Sequence, residues 1–280
     1  MKIISKISQL QKIVLKHIKD GDEIGLVPTM GALHEGHISL INKSVRNDDI
    51  TIVSIFVNPT QFGKGEDYLK YPRPFAKDAA VCKKNHVDYV FAPSVNEMFS
   101  QNYKSFISVE AMQDLLCGRF RKGHFRGVAT VVAKLFNITM ADRAYFGLKD
   151  FQQLKIIEQM SKDLNFRTKI VACPIVREKA GLALSSRNSY LNEIEKEQAL
   201  EISKALQMAK SEIKKKSLSA IVKEVSSKLK KIPGSKIDYI EALDADNLSD
   251  PQKSSKRIVL AVAVWIGKTR LIDNISLSAK

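Results

Sequence analysis

The run Ile50-Thr51-Ile52-Val53-Ser54-Ile55-Phe56-Val57 is β-branched and apolar almost without a break. That is the pattern expected of a parallel strand covered on both faces. Ile24-Gly25-Leu26-Val27, Val87-Asp88-Tyr89-Val90-Phe91-Ala92, Arg143-Ala144-Tyr145-Phe146 and Thr168-Lys169-Ile170-Val171-Ala172 are further strand candidates. Helical spacing fills the intervals at residues 76–84, 128–137 and 151–164. Strand and helix in alternation predict an α/β chain built on a doubly wound, Rossmann-like parallel sheet. Ligands of such sheets bind beyond the carboxyl ends of the strands. After residue 175 the rhythm changes. Residues 193–216 and 218–231 read as two helices, Pro233-Gly234 breaks the pattern, and strands are expected around residues 237–243, 257–266 and 271–275. The expected division is therefore a Rossmann-like domain over residues 1–175 and a smaller C-terminal α+β domain over residues 176–280.

Composition narrows the class of protein. With 280 residues and 44% hydrophobic side chains the chain can bury a substantial core. No apolar run approaches the ~18 residues that span a bilayer, and Met1-Lys2-Ile3-Ile4-Ser5-Lys6 lacks the features of a signal peptide, so a cytoplasmic protein is expected. Cys82, Cys117 and Cys173 are odd in number and widely spaced, which suits neither a disulfide framework nor a zinc site. Buried thiols are expected. The formal charge of +15 raises the question of nucleic acid. The lysines are spread along the chain, however, and the densest clusters, residues 214–216 and 228–231, are expected on solvated helix faces with few aromatics nearby. Attraction of small anions such as nucleotides, weakening with salt, is the remaining consequence.

Five polar segments fall where strands should end. In Pro28-Thr29-Met30-Gly31-Ala32-Leu33-His34-Glu35-Gly36-His37 two histidines lie three residues apart where strand gives way to helix, so backbone N–H groups and the helix dipole would face the same point as both imidazoles. Alone, the pair also fits a metal site or two ordinary histidines. Asn58-Pro59-Thr60-Gln61-Phe62-Gly63 offers amides suited to a small hydroxy acid. Residues 118–127, Gly-Arg-Phe-Arg-Lys-Gly-His-Phe-Arg-Gly, are basic and flanked by glycine, which suits a mobile cover over anions. Phe146-Gly147-Leu148-Lys149-Asp150-Phe151-Gln152-Gln153 again runs from strand to helix, with Gly147 allowing close approach and Lys149 supplying a point charge; Asp150 also fits a plain helix cap. Leu184-Ser185-Ser186-Arg187-Asn188 sets two hydroxyls beside an arginine able to grip phosphate. There is no Gly-Xaa-Gly-Xaa-Xaa-Gly and no Walker lysine loop, so neither dinucleotide oxidoreduction nor P-loop phosphoryl transfer is supported.

Four of these segments, all but residues 118–127, together with Phe56-Val57-Asn58-Pro59 and Tyr71-Pro72-Arg73, follow the order seen in pantothenate synthetases, and the resemblance spans essentially the whole chain. It implies kinship with the nucleotidyltransferase superfamily. It also implies an AMP-forming ligase: ATP and (R)-pantoate give pantoyl adenylate and pyrophosphate, and β-alanine then displaces AMP to give pantothenate. By the same carry-over the catalytic candidates are His34, His37, Lys149 and Arg187, with His37 cast as proton donor. The ATP site would comprise Met30, Gly31, His34, Gly36, His37, Gly147, Leu148, Lys149, Asp150, Val176, Leu184, Ser185, Ser186 and Arg187. Gln61 and Gln153 would hold pantoate, and Gln61 would also meet β-alanine. Mg2+ is implied on the triphosphate, held by phosphate oxygens and water, with Asp78 the best carboxylate to assist. No tightly bound organic cofactor, nucleic acid or membrane is implied, and a homodimer is. Leu148 replaces a usual Glu and Leu184 a usual Met, and Lys77 stands where some relatives carry an acid.

Two other readings compete. A different nucleotidyltransferase would act on another small carboxylate or on a phosphorylated acceptor, for which more arginine near Gln61 and Gln153 would be expected. An RNA-binding module would show steep salt dependence and no need of Ser185 to Arg187.

Overall fold

The computed structural model describes residues 1–278. Its elements alternate through the first part of the chain: β1 (Lys2–Ile4), α1 (Ile7–Asp20), β2 (Ile24–Thr29), α2 (Glu35–Asn47), β3 (Ile50–Ile55), α3 (Phe75–Lys84), β4 (Tyr89–Phe91), α4 (Val95–Met98), α5 (Cys117–Phe120), α6 (His124–Thr139), β5 (Arg143–Gly147), α7 (Phe151–Asp163) and β6 (Lys169–Cys173). The remainder forms α8 (Glu193–Glu212), α9 (Leu218–Lys230), β7 (Lys236–Asp244), β8 (Arg257–Ile266) and β9 (Thr269–Ser278). Six parallel strands in the order β1-β4-β3-β2-β5-β6 make the first sheet, and β7-β8-β9 make an antiparallel second. The α/β sheet and the smaller C-terminal sheet thus have the architecture expected from the alternation.

The central strands β2 and β3 are buried nearly throughout, as continuous apolar runs in a doubly covered sheet must be. From β2 the chain first builds outward through β3 and β4, then crosses to β5 and β6. The order therefore reverses between β2 and β5, and a crevice opens at such a reversal. The β2–β5 ladder covers only Gly25–Arg143 and Leu26–Ala144, whereas β2 stays paired with β3 through Thr29. Pro28, which has no N–H to donate, follows the last β2–β5 pair.

Helix α6 is apolar nearly all round and is buried accordingly. The second sheet shares its core: Tyr239, Leu243, Val259, Ala261 and Ala263 join one apolar cluster with Leu154, Ile157 and Phe136. A separate cluster packs α8 and α9 on the other face of that sheet, through Leu206, Val225, Val262 and Val264.

Several expectations need correcting. The strands read from sequence begin at Ile24, but β1 and α1 precede them; β1 is a short edge strand with only Ile4 buried, whereas α1 carries the legible spacing Leu10, Val14. Residues 214–216 lie beyond α8 in the turn before α9, because Ser217 leaves helical geometry to cap α9 by accepting from the Ala220 N–H. The basic segment 118–127 is no mobile cover. It forms α5 and the first turn of α6, with Gly118, His124, Phe125 and Gly127 buried. A Cβ on Gly118 would stand 1.7 Å from the Gln113 carbonyl, and one on Gly127 2.3 Å from that of Thr60. All three cysteines are free and buried. Among the described residues no helix is long and apolar enough to cross a membrane.

Candidate active site

A cavity of about 230 Å3 opens at the carboxyl ends of β2 and β5, where the strand order reverses. His34, His37, Gln61, Lys149, Gln153 and Arg187 all line it, as do Met30, Gly36, Gly147, Asp150, Val176, Leu184, Ser185 and Ser186. Segments separated by more than a hundred residues thus meet at one point. A wider cleft of about 620 Å3 runs on between the two sheets, sharing Lys149, Asp150, Gln153, Ser185 and Arg187 as walls.

The two histidines form the start of α2 themselves. His34 is the N-cap, and its Nδ1 accepts the Gly36 N–H at 3.1 Å. His37, three residues on, returns its Nδ1 to the His34 N–H at 3.3 Å. This is a capping box in which imidazoles replace the usual hydroxyl and carboxylate, and it explains the spacing of three. A backbone N–H can only donate, so both Nδ1 atoms are acceptors and both neutral rings carry their proton on Nε2. The rings lie 4.1 Å apart, centroid to centroid. Burial, then the nearby Lys149 charge, lowers His34 to a pKa of about 4; burial, then His34 and Lys149, lowers His37 to about 3. Both rings are therefore neutral at pH 7 and present N–H donors to the cavity. Gly36 is needed because a Cβ there would stand 2.8 Å from His34 Cε1.

Opposite them, β5 ends in a single 3-10 turn at residues 148–150 that leads into α7. Among the described residues Lys149 has no carboxylate in salt-bridge range, and Asp150, although it sits at the N-cap of α7, makes no side-chain cap bond. Both charges stay available to the cavity. Gly147 has ordinary backbone angles, and nothing lies within 4 Å of where its Cβ would be. The space it leaves belongs to the cavity. Ser185 caps the turn at residues 186–190 by accepting the Arg187 N–H at 3.3 Å, which leaves its own proton free to donate. Arg187 Nη2 rests on the Asp67 carboxylate at 3.2 and 3.3 Å. The Val176 carbonyl accepts from the Leu184 N–H at 3.0 Å, bringing these two apolar wall residues side by side.

Gln61 is oriented by Asn58. Asn58 Oδ1 accepts from the Thr60 N–H and hydroxyl, so its Nδ2 faces and donates to Gln61 Oε1 at 3.0 Å and to the Gly127 carbonyl at 3.1 Å. The Gln61 amide nitrogen is thereby turned toward Met30 Sδ, 3.1 Å away. Asn58 itself is saturated, so the hydroxy-acid contact expected of it falls to Gln61. Val128, Val131, Val132 and Leu135, at helical spacing on α6, supply an apolar wall of the cavity.

Three expected site residues face elsewhere. Asp78 is buried and accepts the Ala32 and Leu33 N–H groups, both at 2.8 Å. Each oxygen accepts one of these N–H groups, so Asp78 holds the turn before His34. Gly31 also serves that turn, at φ +83° and with Asp78 and Ile55 too close for a Cβ. Leu148 packs its side chain against the main core. No group of three or more His, Cys, Asp or Glu that could hold a metal ion occurs among the described residues.

Glu66 and Asp67 were not singled out from the sequence, and Arg121, His124 and Gln152 were given no role of their own there. Glu66 and Asp67 neighbour each other in one loop; Glu66 grips Arg121 and Asp67 grips Arg187. Arg121 Nη1 donates to His124 Nε2 at 3.0 Å, leaving Nδ1–H of His124 to donate to the Gln61 carbonyl at 2.8 Å. Burial, then the Arg121 charge, lowers His124 to about 3. Gln152, beside Gln153, is consumed in holding Met112, Leu115 and Cys117. For Glu66 and Asp67 the only sequence cue was nearness to the motifs.

Residues 2–276 match the family described as pantoate-beta-alanine ligase. The chain is 69% identical over 275 residues to the pantothenate synthetase of Endomicrobium trichonymphae, covering 98% of this chain and 97% of that one. It is 50% identical over 282 residues to the pantothenate synthetase of Caldicellulosiruptor bescii, with 100% of each covered. The crystal structure of pantothenate synthetase from Thermus thermophilus has a TM-score of 0.91 at 38% identity, covering 98% of this chain and 99% of that one. Pantoate-beta-alanine ligase from Francisella tularensis, complexed with beta-gamma ATP and beta-alanine, has a TM-score of 0.81 at 39% identity, covering 98% and 97%. With the fold, the cavity and these relatives in agreement, the chain belongs to the pantoate–β-alanine ligase family.

Proposed function

We propose that this protein condenses (R)-pantoate with β-alanine at the expense of ATP, giving pantothenate, AMP and pyrophosphate through pantoyl adenylate. The observation that carries the reading is the single cavity in which two N–H-bearing imidazoles, a free lysine, two serines and an arginine face Gln61 and Gln153. A pantoate carboxylate oxygen attacks the α-phosphorus, the bond to the bridging oxygen breaks, and pyrophosphate leaves with the electron pair. Negative charge grows on the non-bridging and leaving oxygens, where fixed donors and cations are most effective. His34 and His37 offer Nε2–H, Lys149 and Arg187 offer charge, and Ser185 and Ser186 offer hydroxyls. Arg187 must exchange Asp67 for phosphate. The β-alanine amine, having lost its proton, then attacks the acyl carbon and AMP departs.

Pantoate carries two hydroxyls and a dimethyl carbon. The amides of Gln61 and Gln153 suit the first, and the valine stripe of α6 suits the second. Met30, Gly36, Gly147, Asp150, Val176 and Leu184 would border the nucleotide, with Gln61 also meeting β-alanine. The two cavities together have the size of a site for a nucleotide and a small acid. Mg2+ belongs to this proposal only as the partner of the triphosphate, carried by phosphate oxygens and water. In the same proposal residues 1–175 bind nucleotide and pantoate, residues 176–280 close over them, and the protein works as a cytoplasmic homodimer, the last two points resting on family membership.

Purified protein given ATP, Mg2+ and pantoate should release pyrophosphate, and adding β-alanine should yield AMP and pantothenate. Release that ignores pantoate, or none, would overturn the assignment. His37→Ala and Lys149→Ala should each lower the adenylation rate by about 10²-fold or more.

A further inference from the structure

Asn274, in β9, reaches from the second sheet to the turn that carries Lys149. Its Nδ2 donates to the carbonyl oxygens of Leu148, at 2.9 Å, and Lys149, at 3.0 Å. Only the amide nitrogen can face two carbonyls, so the orientation of this side chain is fixed. Asn274 is buried, and so is its neighbour Asp273. Asp273 accepts two bonds from Arg177, Nη1 to Oδ2 at 2.7 Å and Nη2 to Oδ1 at 2.9 Å, and its Oδ1 also accepts the Asn274 N–H at 2.8 Å. Arg177 begins the hairpin closed by its bridge to Ala183, and it donates to the Gly181 carbonyl inside that hairpin at 3.1 Å. The strand leaving the hairpin delivers Leu184 and Ser185 to Arg187 into the cavity.

One dipeptide of β9 therefore grips both segments that bring cations to the site. We infer that Asp273-Asn274 is a positioning pair that sets Lys149 relative to Ser185 to Arg187, so that the second sheet is part of the adenylating site as well as a cover for it. Neither residue touches the reacting atoms; Asn274 acts through the backbone of the Lys149 turn and Asp273 through the Arg177 side chain. Without the Asn274 amide the Leu148 and Lys149 carbonyls lose their donors and the turn is free to shift. A displacement of about 1 Å at a charge that stabilises the transition state costs on the order of 10²-fold in rate. The inference rests on the adenylation reading given above.

The test compares wild type, Asn274→Ala, Lys149→Ala and the double variant by pantoate-dependent pyrophosphate release, with near-ultraviolet circular dichroism confirming the fold. Asn274→Ala should lower kcat by about 10- to 100-fold with the ATP KM changed less than threefold. The double variant should be no slower than Lys149→Ala alone, since a residue that acts through Lys149 has nothing further to lose. Asn274→Asp, which sets a carboxylate oxygen against two carbonyls, should be slower than Asn274→Ala. A merely structural joint would lower stability and leave kcat per folded molecule unchanged. Wild-type kcat in Asn274→Ala, or full additivity in the double variant, overturns the inference. Should Asn274→Ala not fold, Asn274→Ser, which keeps one donor, is judged by the same two criteria. Wild type without pantoate-dependent release refutes the adenylation reading and the inference with it, whereas an active wild type and an equally active Asn274→Ala refute the inference alone.

Discussion

Replacing Gly36 by Ala places a methyl group 2.8 Å from His34 Cε1 and 2.9 Å from its Nδ1. The ring must withdraw by about 0.7 Å to reach ordinary contact, and the bond from the Gly36 N–H to Nδ1, now 3.1 Å, is lost. Loss of an N-cap bond costs about 1 kcal/mol. Alanine in place of glycine inside a helix returns about the same amount. Stability should therefore change by less than about 1 kcal/mol, a melting shift of only about 2–4 °C for a chain of this size. The chemistry is not compensated in this way. The His34 Nε2–H moves with the ring, and a donor misplaced by close to 1 Å lowers kcat by about 10²-fold, which is about 2.7 kcal/mol of transition-state stabilisation. The assay is pyrophosphate release at saturating ATP and pantoate, run beside a thermal melt of the same preparation. A kcat within threefold of wild type, or a stability loss above about 3 kcal/mol, would refute the reasoning.

Asp78→Ala strands the buried N–H of Leu33 and the half-buried N–H of Ala32. It should cost about 2–5 kcal/mol in urea unfolding. Asp78→Asn, which keeps one acceptor, should leave the Mg2+ concentration for half-maximal activity unchanged; a tenfold rise would make Asp78 a metal ligand after all. Gly147→Ala should leave stability unchanged or raise it by about 0.5 kcal/mol, because its angles suit any residue and its Cβ position is empty. It should nevertheless weaken ATP binding at least tenfold by calorimetry, and an unchanged Kd would remove Gly147 from the nucleotide site. His34, His37 and His124 are lowered from 6.5 to about 4, 3 and 3. Below pH 6.5 the unfolded chain takes up protons that the native protein refuses, so stability falls as pH drops toward 4 and levels off above about pH 7. The slope approaches about 1.4 kcal/mol per pH unit for each fully buried histidine, with His34, the less enclosed ring, contributing less. Urea midpoints that stay constant from pH 7 to pH 5 would contradict this.

Much of the fold was legible because its signals are local. The apolar run in β3 and the spacing of Val128, Val131, Val132 and Leu135 need only the chain's own period. The same holds for the His34 to His37 spacing, which by itself suffices to build a reciprocal cap. The short edge strand β1 carries too little pattern to be read, and the basic segment 118–127 misleads because composition does not reveal that Gly118 and Gly127 are pressed against other backbone. Arg119 and Arg121, which look free for anions in the sequence, are paired with Glu241 and Glu66.

The sequence by itself determined the strand and helix alternation and the side chains that meet at the strand ends. Only the tertiary structure decided which polar groups remain free to meet a substrate. Asp78 and Asn58 looked as available as Lys149, yet both are engaged within the protein, Asp78 by N–H groups 46 and 45 residues away and Asn58 in part by a carbonyl 69 residues away. Hydrogen-bond engagement depends on partners the fold brings from a distance, and a linear sequence holds no local trace of it.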